Sequence, residues 1–237
     1  IDKELFYTKL ATILSYLVID YFETNIIKQI LYSNYFYFEE SEFNTILKLC
    51  EENLYDSSEF SLPNRQLLLF DIFYEYISNH HSIVLSGFIN FRLSKYKKLI
   101  EELVDLSVNE FIIEREYLEF ISLLKVYINS QPSSNTIIHV ISFENKILLL
   151  DDTMKKISID KSSLKAKYLS DVSFSNNDYI LNTLLTLLPK KIHLHIISAS
   201  GNSEFLNTLQ LIFENRIDIC YDCNICSMYK KINIKNN

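Results

Sequence analysis

The hydrophobic positions of the first 130 residues recur at intervals of three and four along the chain. Two such series are Leu10, Ile13, Leu14, Leu17 and Tyr21, and Phe43, Ile46, Leu47 and Cys50. Side chains with this spacing lie on one face of an α-helix. We therefore predict that residues 1–130 are helical throughout and that Cys50 is a small buried hydrophobic residue of their core.

The pattern changes after a stretch rich in Ser, Pro and Asn at residues 129–135. Two segments rich in β-branched and aliphatic residues follow, and the two residues between them are typical of a hairpin. Further on, the sequence predicts a helix with an Asn or Asp N-cap that stops at Pro189, and a later helix with Ser203 as its N-cap. In order, the predicted elements are strands 136–143 and 146–152, helix 176–189, strand 190–198, helix 203–214 and strand 216–220.

This order of elements, β-β-α-β-α-β, predicts the fold class. Strands that alternate with helices are usually parallel neighbours joined by crossover connections. The hairpin adds an antiparallel pair, so the sheet should be partly parallel. We predict an α+β protein with a helical domain at residues 1–130 and a small α/β domain at residues 131–237, which ends in a tail that contains cysteines.

The charge distribution supports a division into two regions. The 237 residues carry a formal net charge of −7, with −9 over residues 1–130 and +2 over the rest. An acidic protein of this kind lacks the basic face that a general nucleic-acid binder needs to neutralise phosphates. We therefore expect no nucleic-acid partner.

The sequence predicts neither a membrane span nor a secretory signal. The apolar run at residues 10–19 is bounded by Lys9 and Asp20, and a spanning helix needs about 20 apolar residues. The N-terminus has no charged region followed by an apolar segment and a cleavage site. We expect a cytoplasmic protein whose four cysteines are free thiols or metal ligands.

Three cysteines near the C-terminus, Cys220, Cys223 and Cys226, are spaced by three residues. Two residues between cysteines allow both thiolates to face one soft metal ion, and the third cysteine offers a third sulfur. Zinc or iron is the candidate metal. Strand alternation places His195 on the side of its strand that faces Cys220 if the two strands are neighbours, which makes it a candidate fourth ligand beside solvent or a partner's group. A redox pair and simple free thiols are the alternatives.

A second candidate site lies in the loop before the last predicted helix. Ser200, Gly201, Asn202 and Ser203 offer a tight turn and a helix N-terminus that could bind an anion, and an ordinary capped turn is the alternative. A Ser-His-Asp set can be built from Ser198 or Ser200 with His195 and Asp218, but no nucleophile elbow surrounds either serine. No other catalytic motif stands out.

One segment gives the chain a family resemblance. The residues that carry it are Gly87, Phe88, Phe91, Arg92, Leu93, Tyr96, Val104, Asp105, Glu116, Tyr117, Glu119, Phe120, Ile121, Leu123 and Leu124, and it continues in IIHVISF, LLTLLPKKIHLHII and FENRIDICYDCNIC. In these positions the chain resembles the YtxC-like sporulation protein family. The resemblance implies a role in sporulation but no particular reaction, cofactor or catalytic residue.

Together these features favour a sporulation protein that acts by binding rather than catalysis. A protein partner is the expected target, because the negative charge of residues 1–130 can steer association. The alternative is a small-molecule enzyme or a metal-dependent protein whose site lies at the carboxyl edge of the C-terminal sheet.

Overall fold

The computed structural model describes residues 2–56, 58–144, 146–159, 175–197, 202–220 and 222–236. Across the described part of residues 1–130 every regular element is a helix, which confirms the predicted helical region. Asp2 caps the first helix by accepting a hydrogen bond from the Glu4 backbone NH at 3.1 Å. The helices are α1 (Lys3–Tyr21), α2 (Glu23–Asn34), α3 (Glu40–Asp56), α4 (Leu62–Asn79), α5 (Leu85–Phe91) and α6 (Ser94–Ser130).

The remaining elements follow the predicted order and then add one helix. They are β1 (Ile137–Phe143), β2 (Lys146–Leu150), α7 (Asn176–Leu187), β3 (Lys191–Ile196), α8 (Ser203–Ile212), β4 (Ile217–Cys220) and α9 (Asn224–Asn236). The predicted α+β class is confirmed. The C-terminal segment that was expected to be a tail is the helix α9.

The four strands form one mixed sheet in the order β2-β1-β3-β4. β1 and β2 are antiparallel, whereas β3 runs parallel to both β1 and β4. The predicted partly parallel sheet is therefore confirmed. The register places His139 beside His193 and His195 beside Cys220.

The chain divides into two compact units, residues 1–116 and 117–237, so the division lies inside α6 and upstream of the composition break at 129–135. The core of the first unit is built from its six helical segments, and Cys50 is fully buried in it, as predicted. One side of the sheet, α7, α8 and the end of α6 together form the core of the second unit. Its buried residues include Ile121, Ile128, Ile138, Val140, Leu149, Ile180, Leu184, Ile192, Leu194, Leu206 and Leu209.

The structure corrects both predicted helix caps in the second unit. Asn202, not Ser203, is the N-cap residue of α8, and its side chain is used elsewhere, since it donates to the Glu144 carbonyl at 3.0 Å. Ser175, not an Asn or Asp, caps α7: its side-chain oxygen accepts the Asp178 backbone NH at 3.2 Å, and the Asp178 carboxylate accepts the Ser175 backbone NH at 2.7 Å in a reciprocal capping box. In each case a residue just before the predicted cap takes its place.

Among the described residues, no single helix has both the length and the apolar composition to cross a membrane. The pair α1 and α2, which is bent by 51°, meets those two criteria when taken together.

Candidate metal centre

The alternation of β3 directs two histidines away from the core of the second unit. Ile192 and Leu194 are fully buried in that core, while His193 and His195 project from the opposite side of the sheet. His195 lies one residue before the end of β3, directly beside Cys220 at the end of β4. The predicted proximity of His195 and the first cysteine is confirmed.

The first turn of α9 brings the other two cysteines to the same place. Cys223 immediately precedes α9, and its Sγ accepts the backbone NH of Cys226 at 3.5 Å. Residues three apart lie on the same side of a helix, so both thiols face the edge of the sheet. Cys226 is 1% exposed and His195 is 3% exposed.

The four candidate ligand atoms form a tight cluster, with one atom each from His195, Cys220, Cys223 and Cys226, all within 4.8 Å of one another. The Sγ atom of Cys226 lies 3.7 Å from that of Cys223 and 3.8 Å from that of Cys220. The Nδ1 atom of His195 lies 3.4 Å from the Sγ of Cys226 and 3.6 Å from that of Cys223.

These separations match those around a tetrahedral zinc ion. Zn–S bonds of about 2.3 Å and Zn–N bonds of about 2.0 to 2.1 Å at tetrahedral angles put sulfurs about 3.8 Å apart and a nitrogen about 3.6 Å from each sulfur. Sulfur and imidazole nitrogen are also the donors that zinc and iron prefer in such sites. The geometry and the chemistry of the cluster both fit a metal ion.

The environment of His195 keeps its imidazole neutral. Burial, followed by the neighbouring His139 and His193, lowers the pKa of His195 to about 4. A ligand nitrogen must be unprotonated to bind a metal, so His195 is available as a ligand at neutral pH.

The three thiols shift one another's ionisation. Burial, together with hydrogen bonds to the other two cysteines, raises the pKa of Cys220 to about 12, and burial also raises the pKa of Cys226. At Cys223 burial opposes ionisation, but the hydrogen bond from the Cys226 backbone NH helps to outweigh it and the pKa is lowered. Without a cation, three thiolates this close would repel one another, and a bound metal would remove that repulsion.

Among the described residues, Asp218, Asn202 and Ser203 are not part of this cluster. Asp218 pairs with Lys191 at 2.5 Å rather than with His195, which removes the orienting acid from the Ser-His-Asp hypothesis. Ser198, Ser200 and Gly201 lie outside the described residues.

The described half of the predicted anion-binding loop lies at the start of α8. Asn202 and Ser203 line a surface cleft of about 490 Å³ together with Ser175 and Phe205. Anion binding there stays a prediction.

Sequence reasoning missed one residue next to the cluster. His139 on β1 places its Nδ1 atom 2.9 Å from the Nε2 atom of His195, and the planes of the two rings are inclined by only 22° with their centroids 5.2 Å apart. Burial, then the nearby His193, lowers the pKa of His139 as well. The alternation of side chains along β1 predicts that His139 points away from Ile138 and Val140. Only the strand order shows that β1 lies next to β3, which brings His139 close to His195.

The protein therefore has an α+β fold with a mixed sheet, and one end of that sheet carries three cysteines and one histidine whose ligand atoms are spaced as around a metal ion. The chain belongs to the YtxC-like family, whose model matches residues 8–218. The matched segment contains His195 and ends two residues before Cys220. No curated protein and no solved structure matches the chain.

Proposed function

We propose that the protein binds one zinc ion through Cys220, Cys223, Cys226 and the Nδ1 atom of His195, with iron as the alternative metal. The observation that carries this proposal is that all four ligand atoms lie within 4.8 Å of one another and that the Sγ atom of Cys226 lies 3.4 to 3.8 Å from each of the other three. Four protein ligands around zinc make a closed site, which is typical of a structural rather than a catalytic ion. The ion would fasten the start of α9 to the ends of β3 and β4.

A cobalt titration tests the ligand set. Cobalt(II) added to the anaerobic, reduced protein should give intense thiolate-to-metal absorption and the visible bands of a tetrahedral site, saturating at one equivalent. Zinc should then displace cobalt and bleach the spectrum. Weak octahedral bands without thiolate absorption would contradict the proposal and favour free or redox-active thiols.

We further propose, on the basis of family membership, that the protein acts in sporulation in the cytoplasm by binding a protein partner. The support for such a contact is the acidic surface of α6. Its exposed side chains include Glu101, Glu102, Glu114 and Glu116, and clustered charge of one sign accelerates association with a basic partner.

Deletion of the gene in its host should lower the yield of heat-resistant spores and leave vegetative growth close to normal. Plate counts before and after heating measure this yield. A copy that encodes the wild-type chain should restore it, whereas a copy with Cys223→Ser should not if the metal serves the same function. Normal spore counts in the deletion strain would contradict a sporulation role.

A further inference from the structure

His139, which has no assigned role, lies within hydrogen-bond distance of the candidate ligand His195, and its surroundings hold it in a defined position. It lies in the central part of β1, which is paired with β2 on one side and β3 on the other. Its neighbours Ile138 and Val140 are almost fully buried on the opposite face of the sheet. Because two strand ladders and the packing of Ile138 and Val140 fix the backbone, the position of the imidazole is well defined.

The contact between the two imidazoles has a chemical consequence for metal binding. The atom of His195 that faces the thiols is Nδ1, and the atom that faces His139 is Nε2. When Nδ1 binds a metal, the ring proton must be on Nε2. Nε2–H can then donate to the Nδ1 lone pair of His139 across 2.9 Å.

We propose that His139 is a positioning residue for the metal centre, which fixes the ring orientation and the Nδ1-ligating tautomer of His195 by accepting the Nε2–H hydrogen bond. This inference rests on the proposed zinc site. Partners of this kind orient metal-ligating histidines in many proteins, and removing them typically lowers metal affinity by about 10- to 100-fold. In this chain an imidazole takes the place usually occupied by a carboxylate, a carbonyl or water.

The experiment compares the zinc affinity of the full chain with that of three variants, measured by competition with a chelator of known affinity. His139→Leu should bind zinc at least about 10-fold more weakly, because it removes the acceptor. His139→Asn should restore most of the affinity, because its side-chain oxygen can accept near the position of Nδ1. His193→Leu is the matched control. The ring of His193 lies on the same face of the sheet as that of His139, with the two ring centroids 5.2 Å apart. The zinc affinity of this variant should equal that of the wild type.

A second readout separates positioning from a general loss of structure. Nitrogen-15 NMR of the zinc-bound wild type should show His195 ligated through Nδ1, with an Nε2 proton that exchanges slowly with water. In His139→Leu that proton should exchange faster, while the unfolding midpoint of the metal-free protein stays within the range of the His193→Leu control.

The outcomes distinguish the inference from the proposed function. Equal zinc affinity in His139→Leu and wild type, or ligation of His195 through Nε2, would overturn the role of His139 and leave the zinc site standing. A wild-type chain that binds no zinc would overturn both.

Discussion

Replacing Arg65 with methionine should lower the free energy of unfolding of the first unit by about 3 to 5 kcal/mol, the usual cost of breaking a buried ion pair by removing one partner. The guanidinium of Arg65 pairs with the carboxylate of Glu23, and the two residues are only 3% and 5% exposed. Tyr96, which is fully buried, donates its phenol proton to the same carboxylate. Without Arg65 the negative charge of Glu23 would remain buried with a single neutral donor.

The pKa of Tyr96 keeps its phenol protonated beside this carboxylate. Burial, then the negative charge of Glu23, raises that pKa well above its usual range, so the phenol remains a hydrogen-bond donor. Arg65 also donates from Nε to the Phe60 carbonyl at 2.7 Å, which ties the start of α4 to the preceding turn. The substitution therefore removes two interactions of one buried side chain.

Urea unfolding followed by circular dichroism measures the effect, with Lys48→Met as the control. Lys48 and Glu52 form an exposed pair at 3.9 Å on α3, and such pairs contribute about 0.3 to 0.5 kcal/mol at most. The double variant Glu23→Gln with Arg65→Met should recover part of the lost stability, because no uncompensated charge remains. A loss no larger for Arg65→Met than for Lys48→Met would contradict this account of the buried network.

The second large effect concerns the cysteine cluster. Zinc at a free concentration 1,000 times its dissociation constant should stabilise the wild-type chain by about 4 kcal/mol, because it binds the folded state. Cys223→Ser should abolish this zinc-dependent stabilisation at the same free zinc concentration, since it removes one of three thiolates. Serine is a favoured residue immediately before a helix, so α9 should still form.

Unfolding curves with and without zinc, recorded under reducing conditions, measure this stabilisation. Cys50→Ala is the matched control, because Cys50 is fully buried in the first unit and takes no part in the cluster. The Cys50→Ala variant should gain the same free energy of unfolding from zinc as the wild type, even if its stability without zinc is lower. An equal increment in Cys223→Ser would show that the metal is bound elsewhere.

The helices of the first unit could be predicted because their apolar residues repeat at the helical period, as in Leu10, Leu14 and Leu17. The sequence predicts a tail in place of the helix α9, because the cysteine pattern dominates its interpretation as metal ligands, a redox pair or free thiols. Of the three cysteines only Cys226 lies within α9, whereas Cys223 immediately precedes the helix and Cys220 ends β4, so their spacing gives no sign of where the helix begins. The caps of α7 and α8 were misplaced because Ser175 and Asn202 compete with neighbouring residues of similar capping ability.

The candidate metal centre was more predictable than its surroundings. Cysteine spacing indicated three ligands, and strand alternation added His195 once β3 and β4 were assumed to be neighbours. His139 could not be placed in the same way, because the sequence does not determine that β1 lies in the middle of the sheet beside β3. Its position depends on strand order, which is a property of the whole second unit.

Native mass spectrometry of protein isolated without chelators is the most direct test of the central claim that Cys220, Cys223, Cys226 and His195 hold a metal ion. The account predicts one zinc or iron ion per chain for the wild type and its loss in Cys223→Ser. Less than about one-tenth of an equivalent of metal in a wild-type sample whose thiols are all reduced would contradict it.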